Sequence, residues 1–385
     1  MDLTKAKHRY VALDSLRGVC ACMVVMLHFQ TQGRISALPI VQHGFLFVDF
    51  FFVLSGFVIG SSYGERLREG FSVPRFMALR LGRIYPLHIV MLMVFLAFEI
   101  VFALFWPTLA NREPFTGTQS VAAFIQSLFL VQIFFGPDAT SWNGPSWSIA
   151  AELWTYLIFA LLLRYRARWL LPVCGVIVIG APIFLALNTD RFLNVFHDGA
   201  LVRCLFGFAL GMVGWRCAAS AHAIRVAGWV DHLIELVVVA TVMMFVSLAG
   251  AGPLSLAAPL VFLISVLVFA REKGICSRVL KLAPFVLLGT LSYSIYMIHG
   301  FLYYRFLNGL AVAQRFLGVD LIVRVDGHSQ VGGTALFGDG MTLLFVGIVV
   351  LCSVVSYRLV EMPGQRLARR LVKGRDLRAS HGPPS

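Results

Sequence analysis

The sequence predicts an all-α polytopic membrane helical bundle of about ten transmembrane helices, with both termini cytoplasmic and one interfacial or re-entrant segment. Three observations carry that prediction. The 385 residues are 59% hydrophobic and only 13% charged, with a mean hydropathy of +0.82, more apolar side chain than a soluble core hides behind a polar shell. Apolar runs of the length a helix needs to cross about 30 Å of hydrocarbon recur from end to end. The formal charge of +13 is spread over short loops between those runs, a pattern of membrane orientation and not of nucleic-acid binding.

Eleven apolar segments follow one another, at 13–33, 44–62, 84–106, 119–135, 147–164, 169–187, 200–215, 233–249, 254–270, 284–308 and 339–359. The first has no small-residue cleavage site after it and is expected to be retained as a span, not removed as a signal peptide. Eleven crossings would put "RYRAR" (164–168), "REKGICSRVLK" (271–281) and "RLARRLVKGR" (366–375) on the side opposite the basic N-terminus. Segment 119–135 is short and holds Gln126 and Gln132. Without it, ten spans remain, and 25 of the 32 Lys and Arg fall on the cytoplasmic side. The outer side keeps Arg34, Arg112, Arg191, Arg203, Arg305, Arg315 and Arg324. Segment 119–135 then becomes an interfacial or re-entrant helix in a long outer loop, which needs protein or water to satisfy its backbone. Residues 1–362 read as one membrane domain without internal repeat, and 363–385 as a basic, partly disordered cytoplasmic tail. The seven cysteines form no CxxC pair and have no His at metal spacing, so they read as small buried hydrophobes and no metal is expected.

Several spans carry ionisable groups. In "DSLRGVCACMVVMLHF", Arg17 and His28 are eleven residues apart, about 16 Å along a helix and within about 20° of one face. Arg17 then sits at the cytoplasmic mouth and His28 in the outer half of the bilayer, where snorkelling is impossible. Asp49 in "FVDFFFVLSGF", Glu152 in "PSWSIAAELW", Arg203 and His299 in "LSYSIYMIHG" fall at a similar depth. Either Arg203 pairs with Asp49 or Glu152 as a structural ion pair, or the five groups line an outer-half polar cavity. On the inner side, Arg80 and Arg83 stand one turn apart beside Arg75 at the foot of the third span. Such a group serves either membrane orientation or, with a helix start and guanidinium forks, the binding of phosphates.

These motifs resemble the membrane acyltransferase 3 family of integral membrane O-acyltransferases. The resemblance rests on Arg17 and His28 as Arg-x10-His, Arg80 and Arg83 as Arg-x-x-Arg, "FFFVLSGFVI" around Ser55 and Gly56, and Ser148 and Glu152 as Ser-x-x-x-Glu. It extends to "LSYSIYMIHG" with Tyr293, Tyr296 and His299, and to "EMPGQR" from Glu361 to Arg366. It implies a multi-pass protein of the bacterial cytoplasmic (inner) membrane. The implied reaction is transfer of an acyl group from cytosolic acyl-CoA, acetyl-CoA in particular, to a hydroxyl of a carbohydrate or similar acceptor. The phosphates of CoA would dock on Arg80 and Arg83, with Arg75 and Arg17, while His28 removes the hydroxyl proton. Glu152 would orient that imidazole or activate the acceptor, with Arg17 and Asp49 completing the catalytic set. Tyr293, Tyr296 or Arg203 would donate to the thioester oxyanion, with Ser148 and His299 beside the substrate. An acyl-histidine route stays open.

No soluble esterase-like domain follows the last span in this sequence, so acceptor chemistry is expected of the membrane domain or a separate partner. The Gly-rich loop 311–339, with Arg315, Asp320, Arg324 and His328, is either an outer lid touching the acceptor or a solvated connector. The rival class is a proton-coupled transporter or flippase for a glycan or lipid. Against it, the sequence has no inverted repeat and no pair of Gly/Pro-broken helices in matching halves.

Overall fold

The computed structural model describes residues 9–105, 113–135, 140–223, 227–325 and 327–380, without the side chains of 219–223, 328 and 373–380. The basic residues 1–8, Arg112, the His328 side chain and tail residues 381–385 lie outside the described residues. The main helices are α1 (Val11–His28), α2 (Phe47–Arg68), α3 (Val73–Phe105), α4 (Val121–Leu128), α5 (Ser146–Arg166) and α6 (Leu170–Asn188). They continue as α7 (Ala200–Ala223), α8 (Gly228–Ala249), α9 (Ala258–Phe269), α10 (Ala283–Leu317), α11 (Ala335–Ser356) and α12 (Met362–Ser380). Each of the ten segments assigned to spans is helical. Among the described residues, eight stretches are long and apolar enough to cross a membrane. One of these, 146–188, is α5 and α6 joined by a 3-10 turn at Ala167–Trp169, and α9 is shorter.

The distribution of side chains is inverted relative to a soluble protein. Leu104, Val176, Leu187, Met244 and Leu343 are exposed, while Asp49, His88, Arg203, Glu235 and His299 are buried. Lipid as solvent favours that arrangement, since polar groups then find partners only inside. This is a multi-pass membrane protein.

Helix α1 is surrounded by protein: from Val11 to Leu27 every side chain is buried or half-buried, and only the last residue, His28, is exposed. Its longest contact is with α10, and α2 lies as closely along α7. Both pairs depend on glycine. A Cβ on Gly18 would lie 2.3 Å from the Leu288 carbonyl carbon, and one on Gly289 2.5 Å from Asp14 O. Likewise a Cβ on Gly56 would lie 2.2 Å from Phe208 O, and one on Gly211 2.1 Å from Val53 O. Bare backbones thus meet directly, as small residues permit between membrane helices.

Segment 119–135 yields only α4, eight residues capped by the Ser120 side chain on Ala123 N at 3.2 Å. At about 12 Å that helix is too short to span. The chain after it turns inward, burying Leu130 and Gln132. Side chains of the flanking helices take up its carbonyls: His88 Nε2 donates to Ser127 O at 2.8 Å, Tyr85 OH to Leu128 O at 2.8 Å, and Trp154 Nε1 to Leu130 O at 2.9 Å. Irregular backbone between helices needs such donors.

Two regions gain detail over the sequence reading. Within the basic tail, residues 363–380 continue α11 as helix through a π-helical turn at Tyr357–Glu361. The reason is packing: α12 runs antiparallel to the start of α3, with Gly364 against Pro86 and Ala368 against Gly82. In the loop 311–339, strands β1 (Ile322–Val325) and β2 (His328–Val331) form an antiparallel hairpin. Val331 pairs by backbone with Gln30 at 3.1 Å and Gln32 at 3.0 Å, so the hairpin is fastened just beyond His28 and is no free connector.

Candidate active site

Arginines at the inner ends of two helices, and hydroxyls and a carboxylate higher up, surround one cavity among α1, α2, α3, α5 and α10. Its lining includes Arg17, Ser55, Arg80, Arg83, Ser148, Glu152, Tyr156, Ser292, Tyr293 and Tyr296. Arg17 Nε donates to Ser292 Oγ at 2.8 Å and Nη2 to Gly289 O at 3.4 Å. Arg80 donates to Tyr63 OH at 3.3 Å and lies 5.1 Å from that ring's centre, while its Nε has no partner among the described residues. Arg83 forms no hydrogen bond or ion pair with any described residue. Three guanidinium groups and one carboxylate line this cavity, with Glu361 and Asp14 in electrostatic range of Arg17 and Arg83, and guanidinium forks that face a cavity suit an anionic ligand.

Glu152 is held at the same level: one of its oxygens, Oε1, accepts short hydrogen bonds from both Ser55 and Tyr156. Tyr156 lies one turn after Glu152, so the two share a helix face by ordinary i, i+4 geometry. At the upper end, Ser148 Oγ and Tyr296 OH share a hydrogen bond of 2.8 Å. The Tyr293 hydroxyl is committed to Ile84 O.

Helices α1 and α10 run parallel, so contacts between them act as a ruler. Arg17 meets Ser292, and eleven residues later His28 meets His299, with ring centres 5.0 Å apart. Neither histidine lines the cavity. The His299 ring stands 5.9 Å from that of Tyr296, so Tyr296 and His299 separate the cavity from His28. His28 Nδ1 donates to Val24 O at 2.8 Å. A carbonyl only accepts, which assigns the neutral ring's proton to Nδ1 and leaves a lone pair on Nε2.

The single polar stratum expected from the sequence resolves into separate sites. Glu152 is bound to Ser55 and Tyr156 and does not orient His28, because the turn of α5 that carries it faces the inner cavity. Asp49 and Arg203 are both fully buried, joined through Nε–Oδ1 at 3.0 Å and Nη2–Oδ2 at 2.7 Å. Arg203 also donates to Phe45 O at 2.9 Å and Val195 O at 3.3 Å, beneath the Trp147 ring. Four of the five guanidinium N–H donors are engaged, and neither Asp49 nor Arg203 lines the cavity, so the two form a buried ion pair apart from it. Arg75, in the first turn of α3, is outside the cavity lining. Among the described residues no group of three or more His, Cys, Asp or Glu is placed to hold a metal ion.

Residues 10–357 match the acyltransferase 3 family model, described as Acyltransferase domain. The chain belongs to this acyltransferase family. It is 27% identical to the acyltransferase MdmB of Streptomyces mycarofaciens over 94% of both chains. It is 34% identical to Protein 2 in picA locus of Rhizobium radiobacter, over 42% of this chain and 84% of that one. It is 22% identical to the O-acetyltransferase OatA of Staphylococcus aureus over 92% of this chain, which spans 57% of OatA. No solved structure gives a match. In this membrane acyltransferase, Tyr156, Ser292 and Tyr63 are cavity or arginine partners that the sequence reading missed. Tyr156 was discoverable, being one turn from Glu152; Tyr63 and Ser292 have no local signal, because their roles arise only from helix packing.

Proposed function

We propose that the protein is an O-acyltransferase that moves an acyl group, acetyl in particular, from cytosolic acyl-CoA to a hydroxyl of a carbohydrate or carbohydrate-containing acceptor. The observation that carries this reading is one cavity lined by Arg17, Arg80, Arg83, Glu152, Ser148 and Tyr296, with His299 next to Tyr296 and His28 next to His299. Arginines with spare donors suit the phosphates of CoA, and Arg83, without a hydrogen bond to any described residue, is the foremost of them. The thioester end would then lie toward Ser148 and Tyr296; Ser148 donates to Tyr296 OH or Pro145 O, which leaves the Tyr296 hydroxyl proton for the developing oxyanion.

His28 Nε2 takes the hydroxyl proton as the acceptor oxygen attacks the thioester carbonyl carbon. The tetrahedral intermediate expels the CoA thiolate, which receives the proton, so ester and free thiol are the products. Because Tyr296 stands between cavity and base, its side chain must turn for thioester and hydroxyl to meet. The acceptor would approach from the outer side, where His28 is exposed and the hairpin is fastened to residues 30–32. The O-acetyltransferase name of OatA agrees with this reading. The bacterial inner membrane is the expected location, with CoA on the cytosolic side.

The test uses purified protein with radiolabelled acetyl-CoA and a panel of sugars, following label transfer and thiol release together. His28→Ala should abolish transfer while acetyl-CoA binding persists. Transfer near the wild-type rate in that variant removes His28 from the chemistry, and solute movement across vesicles without thiol release would identify a carrier instead.

A further inference from the structure

The second imidazole, His299, is 1% exposed, and its Nε2 has no hydrogen-bond partner among the described residues. Its Nδ1 donates to Tyr296 O at 2.7 Å. By the same argument as for His28, the neutral ring therefore carries its proton on Nδ1 and a lone pair on Nε2. A buried acceptor left without a donor is destabilising and calls for a physical reason. Among the described residues the other imidazole in contact with it is His28, whose ring centre is 5.0 Å away at a tilt of 48°. The two rings are direct neighbours, and each keeps its Nε2 lone pair free of a protein partner among the described residues.

We propose that His299 Nε2 is the built-in acceptor for the proton that His28 takes from the attacking hydroxyl, so that the two imidazoles hold one proton between them. This rests on the reading of His28 as the base. The balance is simple. The hydroxyl proton moves to His28 Nε2 as the C–O bond forms. The new N–H then donates to His299 Nε2, and the proton returns to the CoA sulfur as the C–S bond breaks. No oxidant, metal or further reactant enters. His299 touches neither donor nor acceptor in this scheme; it is a positioning residue that acts through His28. In the resting enzyme the unpaired lone pair is the cost of keeping that acceptor ready.

The test compares two isosteres. Asparagine at 299 reproduces the Nδ1–H that donates to Tyr296 O but has nothing at the Nε2 position, whereas glutamine reaches that position with an amide oxygen that accepts a hydrogen bond. Rates are normalised to sites titrated by acetyl-CoA binding. His299→Asn should lower kcat by about tenfold or more, the strength of a hydrogen bond to a charged group, with KM for both substrates essentially unchanged. His299→Gln should recover a measurable part of that loss, although it lacks the Nδ1 contact. Adding His299→Asn to His28→Ala should lower the residual rate no further. Asn at least as active as Gln, or a loss confined to KM, overturns the proposal, because a structural polar site would favour Asn. A dead His28→Ala with a fully active His299→Asn sinks this inference alone; an active His28→Ala sinks the reading beneath it.

Discussion

Replacing Arg83 with alanine should raise the KM for acetyl-CoA by about 10- to 100-fold while leaving kcat and thermal stability nearly intact. The magnitude follows from what Arg83 does and does not touch. It forms no hydrogen bond or ion pair with a described residue, so its removal breaks no hydrogen bond and weakens only longer-range attraction to Glu361 and Glu152, unlike removal of Arg17, which holds Ser292 and Gly289. What is lost is a charge-assisted bond to a phosphate, worth about 1.5–3 kcal/mol, and each ~1.4 kcal/mol is tenfold in affinity. Arg83→Lys keeps the charge without the bidentate fork and should fall between. Initial rates against acetyl-CoA concentration, with a thiol-reactive dye following CoA release and a melting curve on the same preparation, measure all three quantities. An unchanged KM refutes the phosphate assignment. A large drop in melting temperature refutes the claim that Arg83 is structurally unengaged.

Three further outcomes follow from the geometry. Asp49→Ala strands a fully buried guanidinium and should destabilise the fold by about 3–5 kcal/mol, whereas Asp49→Leu with Arg203→Met should recover much of that loss; melting temperatures decide, and a single variant as stable as wild type contradicts a structural pair. Tyr296→Phe removes the hydroxyl bonded to Ser148 and should lower kcat about 10- to 100-fold at constant donor KM, as expected for loss of an oxyanion donor; an unaltered rate removes that role. Gly18→Val should prevent folded expression, since its Cβ would lie 2.3 Å from the Leu288 backbone, whereas Gly175→Val, with open space around it, should express normally; size-exclusion profiles of the two detergent-solubilised variants make the comparison.

What the sequence makes legible is what depends on period and on charge. The spacing of Arg17 and His28 puts them on one stripe whatever α1 touches, and the structure finds partners from α10 along that stripe at both ends. The exclusion of 119–135 from the spans rested on its length and two glutamines, and α4 is indeed only eight residues long. What was not legible is the sorting of groups at similar depth. The sequence reads Asp49, Glu152, Arg203, His28 and His299 as one stratum, but helix placement and rotation about each helix axis decide their neighbours. That rotation is set by packing such as Gly56 on Phe208 and Gly18 on Leu288, which no single-helix pattern contains. The packing of the tail was not legible for a related reason: its composition is polar, yet Gly364 and Ala368 set its start against Pro86 and Gly82 of α3.

The separation of carboxylates follows from the same geometry and bears on the chemistry. A carboxylate beside His28 would stabilise its protonated form and tie up its proton; here Glu152 is bound lower down by Ser55 and Tyr156, and Asp49 is consumed by Arg203. His28 is left beside the His299 imidazole, a partner that can receive a proton and give it back. The arginines have the converse arrangement, three at one end of a cavity with a single carboxylate in its lining. Positive charge is therefore concentrated where a polyanionic donor would enter, and charge is kept low where a hydroxyl must lose a proton and a thiolate must regain one. Moving a carboxylate into the upper site tests that logic: Ser148→Asp would place a negative charge beside the developing oxyanion, and it should suppress turnover more than Ser148→Ala while binding acetyl-CoA at the arginine end. Equal rates for the two variants would show that the oxyanion forms elsewhere.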